Sequence, residues 1–345
     1  MNRVGRWTIQ FKNRPGIAAA ATNAGPKEGQ GPYGQYFDQV RNDYMRGKLS
    51  AEAAERLFMQ EACEEALSAA NLKAEQVDLF VAGDLLNQIV TANFVARTLQ
   101  IPFIGVYNAC ATFSDALLVA AMAIDGGYAA NALVAVSSHY QTAERQFRYP
   151  IEMNIQHKET CQYTVTGAAA AILQKAGPGP GPGPGPGPGP GPKITHITVG
   201  RVVDYGLKDP NDMGAAMAPA AADTFLRHLD DLRRTPADYD LVLTGDLAAF
   251  GKKLFKELIK EAGISLGNKH EDAGAAIFSP TQKVKAGGSG AACAPLVLLG
   301  YVLKEMQKGR FERVLAVLTG ALFSPLSYQQ GESIPCIAHA IVLER

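Results

Sequence analysis

The feature that most constrains this 345-residue chain is a script written twice. The segment YDLVLTGDL (239–247) echoes VDLFVAGDL (77–85), so Gly245-Asp246-Leu247 stands against Gly83-Asp84-Leu85. GRFERVLAVLTG (309–320) echoes GYAANALVAVSS (127–138), and AHAIVLER (338–345) echoes AAAAILQK (168–175). Before the middle match each half carries a small-residue helix pattern, ACATFSDALLVAAMAI and AACAPLVLLGYVLKEM. One such match is cheap in an Ala/Val/Leu-rich chain. Three in the same order imply an internally duplicated α/β unit. Short apolar runs ending in small residues read as buried strands, and the patterns between them as helices.

The first half carries the clearest elements. A helix is predicted over 50–72, opening on Ser50 as cap with Glu52 behind it and apolar residues at helical spacing. A strand follows at 77–83, a helix near Thr91–Leu99, a strand at 102–107, a helix over Thr112–Ile124, and strands at 132–138 and 165–175. Between the halves runs a tract of eight Gly-Pro dipeptides, Gly177 to Pro192. Proline removes backbone donors and glycine favours an open ensemble, so the tract reads as an inert insertion or linker. Its period of two excludes collagen. The predicted division is an N-terminal half at 1–175, a linker at 176–192 and a C-terminal half at 193–345.

Composition excludes several function classes. Lys plus Arg and Asp plus Glu are 33 each, so there is no basic surplus for nucleic-acid binding. The longest apolar runs, at 116–124 and 295–303, are about half a bilayer span, and the first residues hold no apolar signal core. Any membrane association is therefore expected to come through partners. Five cysteines, with no CxxC pair, argue for reduced thiols rather than a disulfide or zinc framework.

Cys110 lies after a strand and at the mouth of a small-residue helix. Helix-mouth amides favour a thiolate, so this residue is the candidate nucleophile. A buried, inert cysteine is the bland reading.

A duplicated α/β unit with a cysteine at this turn resembles the thiolase and β-ketoacyl synthase superfamily, in which that cysteine accepts the acyl group. The resemblance implies an α/β, thiolase-like fold of two duplicated halves in an αβαβα core. The segments AGDLLNQI (82–89), SSHYQTAERQFRYP (137–150), 200–224 and SPLSYQQGESIPCIAHA (324–340) are more specific. They resemble a sporulation family within that superfamily, from spore-forming Firmicutes. That resemblance implies binding of dipicolinic acid (pyridine-2,6-dicarboxylate). It also implies work with membrane proteins of the same operon, moving the acid as its calcium chelate into the forespore and out at germination. The implied location is the forespore or spore, peripheral on the inner membrane. No resident cofactor is implied, and calcium enters only with the ligand. A homodimer through the first-half sheet edge follows from the resemblance alone.

The same resemblance raises doubts about catalysis. Initiating synthases carry His-Gln-Ala-Asn after the strand equivalent to YDLVLTG, and Gly-Asn-Thr-Ser before the last central helix. This chain has Gly245-Asp246-Leu247 and Gly287-Gly288-Ser289-Gly290. Of its six histidines, His157, His228 and His270 read as surface residues and His339 as a satisfied core imidazole. His139 lies near a strand end and within reach of the cleft. The expectation is a binding protein on a retired enzyme fold. The alternatives are an active Cys110 acyltransferase with His139 as relocated base, and a purely structural subunit.

For a planar dianion the natural partners are Arg forks, hydroxyls, amides and helix-mouth N–H groups. The candidate ligand-binding set is Cys110, Asp84, Asn87, His139, Arg145, Arg148, Gly288, Ser289 and Tyr328, the last as a stacking ring. Gln88 is a further amide beside Asn87. A salt bridge with Glu144 or Glu152 is the structural alternative for the two arginines. Asp84 and Asp246 alternatively cap the helices that follow them.

Overall fold

A computed structural model describes residues 2–147, 158–175 and 191–345. The Gly-Pro tract from 177 to 190 lies outside the described residues, as do Arg148, Glu152 and His157. In the first half the main elements are β1 (Gly16–Ala24), α1 (Ala51–Ala69), β2 (Leu79–Asp84), α2 (Val90–Leu99), β3 (Phe103–Gly105), α3 (Thr112–Asp125), β4 (Asn131–Ser138), α4 (Tyr140–Phe147), β5 (Gln162–Thr164) and β6 (Gly167–Gln174). The second half supplies β7 (Lys193–Val199), α5 (Met213–Leu232), β8 (Leu241–Thr244), α6 (Ala248–Glu261), β9 (His270–Asp272) and β10 (Gly287–Ser289). The helix α7 follows, through Cys293–Pro295, a π-helical stretch Leu296–Val302 and Leu303–Gln307, and β11 (Arg313–Ala321) and β12 (Cys336–Glu344) close the chain. Ser50 does cap α1, its side chain accepting from Ala53 N at 3.2 Å.

The strands run in the order β9-β8-β11-β12-β7-β1-β6-β4-β2-β3. The two halves of that order mirror each other. β2 pairs parallel with β4 (Leu79↔Ala132) and β4 antiparallel with β6, just as β8 pairs parallel with β11 (Leu241↔Val314) and β11 antiparallel with β12. The central strands β7 and β1 meet at one residue pair, Lys193↔Gly16, so the assembly is two sheets touching at a corner.

Strand alternation then dictates five layers. Val81, Val134, Val136, Leu241, Leu243, Val314, Ala316, Ile341 and Leu343 face a core containing the apolar sides of α3 and α7. Their neighbours Phe80, Ala82, Leu133 and Ala135 face α1 and α2. Val242, Leu315, Val317, Ala340 and Val342 face α5 and α6. With period two, each strand serves two cores at once, which is why these strands read as continuous apolar runs. The middle layer of α3 and α7 is sealed on both faces.

Glycines set how tightly that layer closes. A methyl group on Gly83 would lie 2.0 Å from the Val106 carbonyl oxygen, and one on Gly320 would lie 2.1 Å from that of Asn108. The segment 106–111, which carries Cys110, is thus pressed between one strand end from each half. Gly245, the twin of Gly83, faces Ala294 of α7, 2.9 Å from where its own methyl would fall. The repeated glycine therefore serves the same purpose twice: close approach of a sheet to a central helix.

Gly83→Ala is expected to destabilise the protein by about 3 kcal/mol, because the obstructing atom is backbone and cannot rotate away. Gly127→Ala, at φ +76° with nothing within 4 Å, is expected to cost only about 1 kcal/mol. Urea midpoints of the two variants check this. Equal shifts would contradict the packing argument.

Candidate functional site

After β3 the chain crosses to a single turn, Ala109–Ala111, and enters α3 at Thr112. Ala109 sits at φ +52°, a left-handed conformation that alanine adopts only under constraint. The Thr112 hydroxyl supplies that constraint, donating to the Ala109 carbonyl at 2.6 Å and accepting from Asn108 N at 3.0 Å. Cys110 is delivered to the middle layer, 9% exposed.

The expected low-pKa thiolate is not what this turn produces. Burial pushes the Cys110 thiol well above its ordinary value, the neighbouring Asp246 carboxyl pushes it further, and the Gly290 N–H opposes only in part. A helix mouth is worth about 2 kcal/mol at most, which desolvation of a full charge exceeds. At neutral pH Cys110 is a thiol.

Asp246 shows why the twin Gly-Asp-Leu motifs differ. Asp84 spends its carboxylate locally: Oδ1 accepts from Leu86 N and Oδ2 from Ala92 N, both at 2.8 Å, holding the entry of α2. Burial raises its pKa to about 6 against those amides. In the second half the equivalent duty passes to Asp272 on the edge strand β9. Its Oδ1 accepts from Ala248 N at 2.8 Å and its Oδ2 from Leu247 N at 3.2 Å and from the Thr244 hydroxyl at 2.7 Å. Asp246, at φ +64°, is freed to turn inward. Its Oδ2 accepts from Gly290 N at 3.0 Å, and Gln162 Nε2 donates to its carbonyl at 2.5 Å. The thiols of Cys110 and Cys293 flank the carboxyl, yet neither meets hydrogen-bond geometry at Oδ1, which is buried without a partner among the described residues. Burial raises the Asp246 pKa to about 8, so near neutrality the group is mainly a protonated acid.

Cys293, Gln162 and Asp272 were not singled out from sequence. Cys293 had a signal: the aligned small-residue helices begin ACA and AACA, so the cysteine itself is duplicated. Burial drives its thiol pKa well up, and Cys336, which stands opposite Ala321 in the β11–β12 ladder, is pushed up to about 12 by burial.

The remaining candidates divide into two groups. α4 gathers one of them: the Arg145 guanidinium pairs with Glu52 at 3.0 Å, while the alternative partner Glu152 lies outside the described residues. Next to it Gln146 Nε2 donates to Asn87 Oδ1 at 3.2 Å and its Oε1 accepts from Asn87 N at 3.0 Å. Phe147 then meets Phe323, which meets the 44% exposed Tyr328, at centroid distances of 6.0 and 5.9 Å. Asn87, Arg145 and Tyr328 thus share one rim. Gln88 stands in that rim's turn at φ +55°, where its carbonyl accepts from Asn93 Nδ2 at 2.7 Å. Gly288 and Ser289 belong instead to a parallel two-strand ladder with Tyr163 and Thr164, and the Ser289 carbonyl accepts from Val165 N at 2.8 Å.

His139 is buried with both nitrogens engaged. Gln141 N donates to Nδ1 at 3.2 Å, so Nε2 carries the proton and donates to the Tyr44 carbonyl at 3.0 Å. No lone pair remains for general-base work. Two surface expectations are overturned. His228 is fully buried between the Thr198 and Tyr239 hydroxyls at 2.6 Å each, and His270 is buried with Nε2 2.9 Å from the Thr244 hydroxyl. Charge-rich flanks misled because these positions belong to an inward helix face and the inward side of an edge strand; burial lowers both pKa values to about 3. His339 is the core imidazole expected, accepting from Gly200 N and facing Asp115, both at 3.0 Å.

Comparison with solved structures places this architecture among the thiolase-like condensing enzymes. An OleA variant from Xanthomonas campestris superposes with a TM-score of 0.62 at 17% identity, covering 97% of this chain and 99% of that one. The 3-oxoacyl-[acyl-carrier-protein] synthase III of Aquifex aeolicus VF5 gives 0.58 at 15% identity, covering 96% and 100%. These likenesses establish the fold. The family model described as Stage V sporulation protein AD matches residues 5–344, and the Bacillus subtilis (strain 168) protein of that name is 46% identical over 345 residues, 100% of this chain and 98% of the relative. The chain belongs to the stage V sporulation protein AD family.

Asp246 generates a pH prediction. Its pKa is about 3.8 unfolded and about 8 folded, so between those values the folded state holds the extra proton. Its contribution is complete below pH 4 and is lost as pH rises toward 8. Buried Glu55, also raised to about 8 by burial, acts with the same sign. Asp246→Asn is expected to flatten the fall in melting temperature between pH 5 and 8 without abolishing it. An unchanged slope would show that the carboxyl is ionised in the fold.

Proposed function

We propose that this chain is a non-catalytic, thiolase-fold binder of dipicolinic acid, free or as its calcium chelate, serving its passage into the forespore and its release at germination with membrane proteins of the same operon. The observation that carries the non-catalytic half is the company Cys110 keeps. At the two second-half positions where synthases place nitrogen-bearing side chains stand Asp246 and the Gly290 backbone, and the described imidazoles are engaged elsewhere. Without those donors an oxyanion loses roughly 3–4 kcal/mol of stabilisation per missing group. Condensation requires a thiolate, whereas burial and Asp246 hold this sulfur protonated.

The ligand half rests on family membership and on the chemistry of the site. A protonated Asp246 with an unpartnered Oδ1 donates to a carboxylate instead of repelling it. At the rim, Arg145 provides a cation 52% exposed, and Tyr328 an accessible ring for a pyridine. Location at the inner spore membrane, through partners, belongs to the same reading. Among the described residues no helix is long and apolar enough to cross a membrane.

Calorimetric titration with dipicolinate, with and without calcium, is expected to give saturable heat that Arg145→Ala weakens by roughly tenfold, the order of one charge-assisted pair. Cys110→Ala is expected to retain binding. Acyl-CoA donors are expected to leave the intact mass unchanged. Absence of saturable heat under both conditions would leave a scaffold role; an adduct on Cys110 that turns over with an acceptor would establish an acyltransferase.

A further inference from the structure

On the outer face of the first half, α1 and α2 line an open cavity of about 250 Å³. Lys48, Arg56 and Arg97 line it, and no acidic residue does. None of the three cations forms an ion pair with a described carboxylate. By contrast, Arg41, Arg46 and Arg145 of the same half are each tied to a glutamate. Nearby Glu52 is committed to Arg145 through its carboxylate and meets Arg56 only through its backbone carbonyl, at 3.3 Å from Nε.

The two guanidiniums are fixed rather than waving in solvent. Arg56 lies 4.4 Å and Arg97 4.7 Å from the centroid of the same ring, Phe94. Cation–π contact holds each in place without consuming the N–H donors at its edge. Arg97 uses none of its donors on the described protein, and Arg56 uses one. Two preorganised forks and an ammonium around a concave, uncompensated surface constitute a receptor for a compact, multiply charged oxyanion. Three positive charges are better neutralised by a phosphate monoester, with a charge near −2, than by a single carboxylate.

We infer that the α1–α2 cavity binds a phosphate monoester group, through Arg56, Arg97 and Lys48. Beside Lys48, Leu49 is fully exposed, an apolar contact for whatever body carries the phosphate. That body is a lipid headgroup or a small soluble ester. The same groups recognise either one.

The full chain is tested with inorganic phosphate by calorimetry and with phosphatidylcholine vesicles, with and without phosphatidic acid, by flotation. Saturable phosphate binding, or flotation that requires phosphatidic acid, is expected, and the Arg56→Ala/Arg97→Ala pair is expected to reduce it by at least roughly tenfold. Flotation sensitive to Leu49→Ser assigns the lipid source, and phosphate binding without flotation assigns the soluble one. Lys48→Ala, on an exposed side chain, provides a second variant whose folding is not in question. The dipicolinate titration of each variant reports separately on the sulfur site. No saturable binding to either probe, or binding unchanged in all the variants, overturns the inference.

Discussion

Everything in this molecule depends on closing two helices between two sheets at backbone contact distance. α3 and α7 are buried along most of their length, and the sheets close on them and on the turn before α3 where Gly83, Gly245 and Gly320 present no side chain. The apolar area removed from water in that layer is the main source of stability. Its cost is that every polar group carried inward must be partnered there. Asp84 and Asp272 meet that demand by accepting from backbone N–H groups at strand and helix ends, whereas Asp246 meets it through Oδ2 alone.

The same closure explains the chemistry of Cys110. A helix mouth in water would favour its thiolate. Between two sheets and against a carboxyl, the neutral thiol wins, and the carboxyl is neutral as well. A thiol and a carboxyl that burial both holds neutral make a poor nucleophile and base pair. Gly-Asp-Leu stands in both halves, but Asp272 accepts from the amides that follow β8 and so leaves Asp246 a different role from Asp84.

Much of the fold was legible because the period-two and helical patterns are local. The Ser50 cap, α3 over Thr112–Asp125 and the order of matched strands all follow from residues adjacent in sequence. The site was legible only in part. The doubled cysteine in ACA and AACA was present to be read. By contrast, Asp272 and Gln162 reach Asp246 from other strands, and nothing nearby in sequence marks them. His228 and His270 misled for the same reason: neighbouring charges in sequence do not report which side chains a helix or an edge strand turns inward.

The sequence by itself determined the duplicated α/β script and the cysteine at the strand–helix turn, since these are matters of residue type and spacing. Only the tertiary structure decided the protonation of Cys110 and Asp246, the division of labour between Asp84 and Asp246, and the convergence of Arg56 and Arg97 on Phe94. Burial and electrostatics act through space. Their magnitudes are fixed by which distant residues the two sheets bring together, which no one-dimensional pattern encodes.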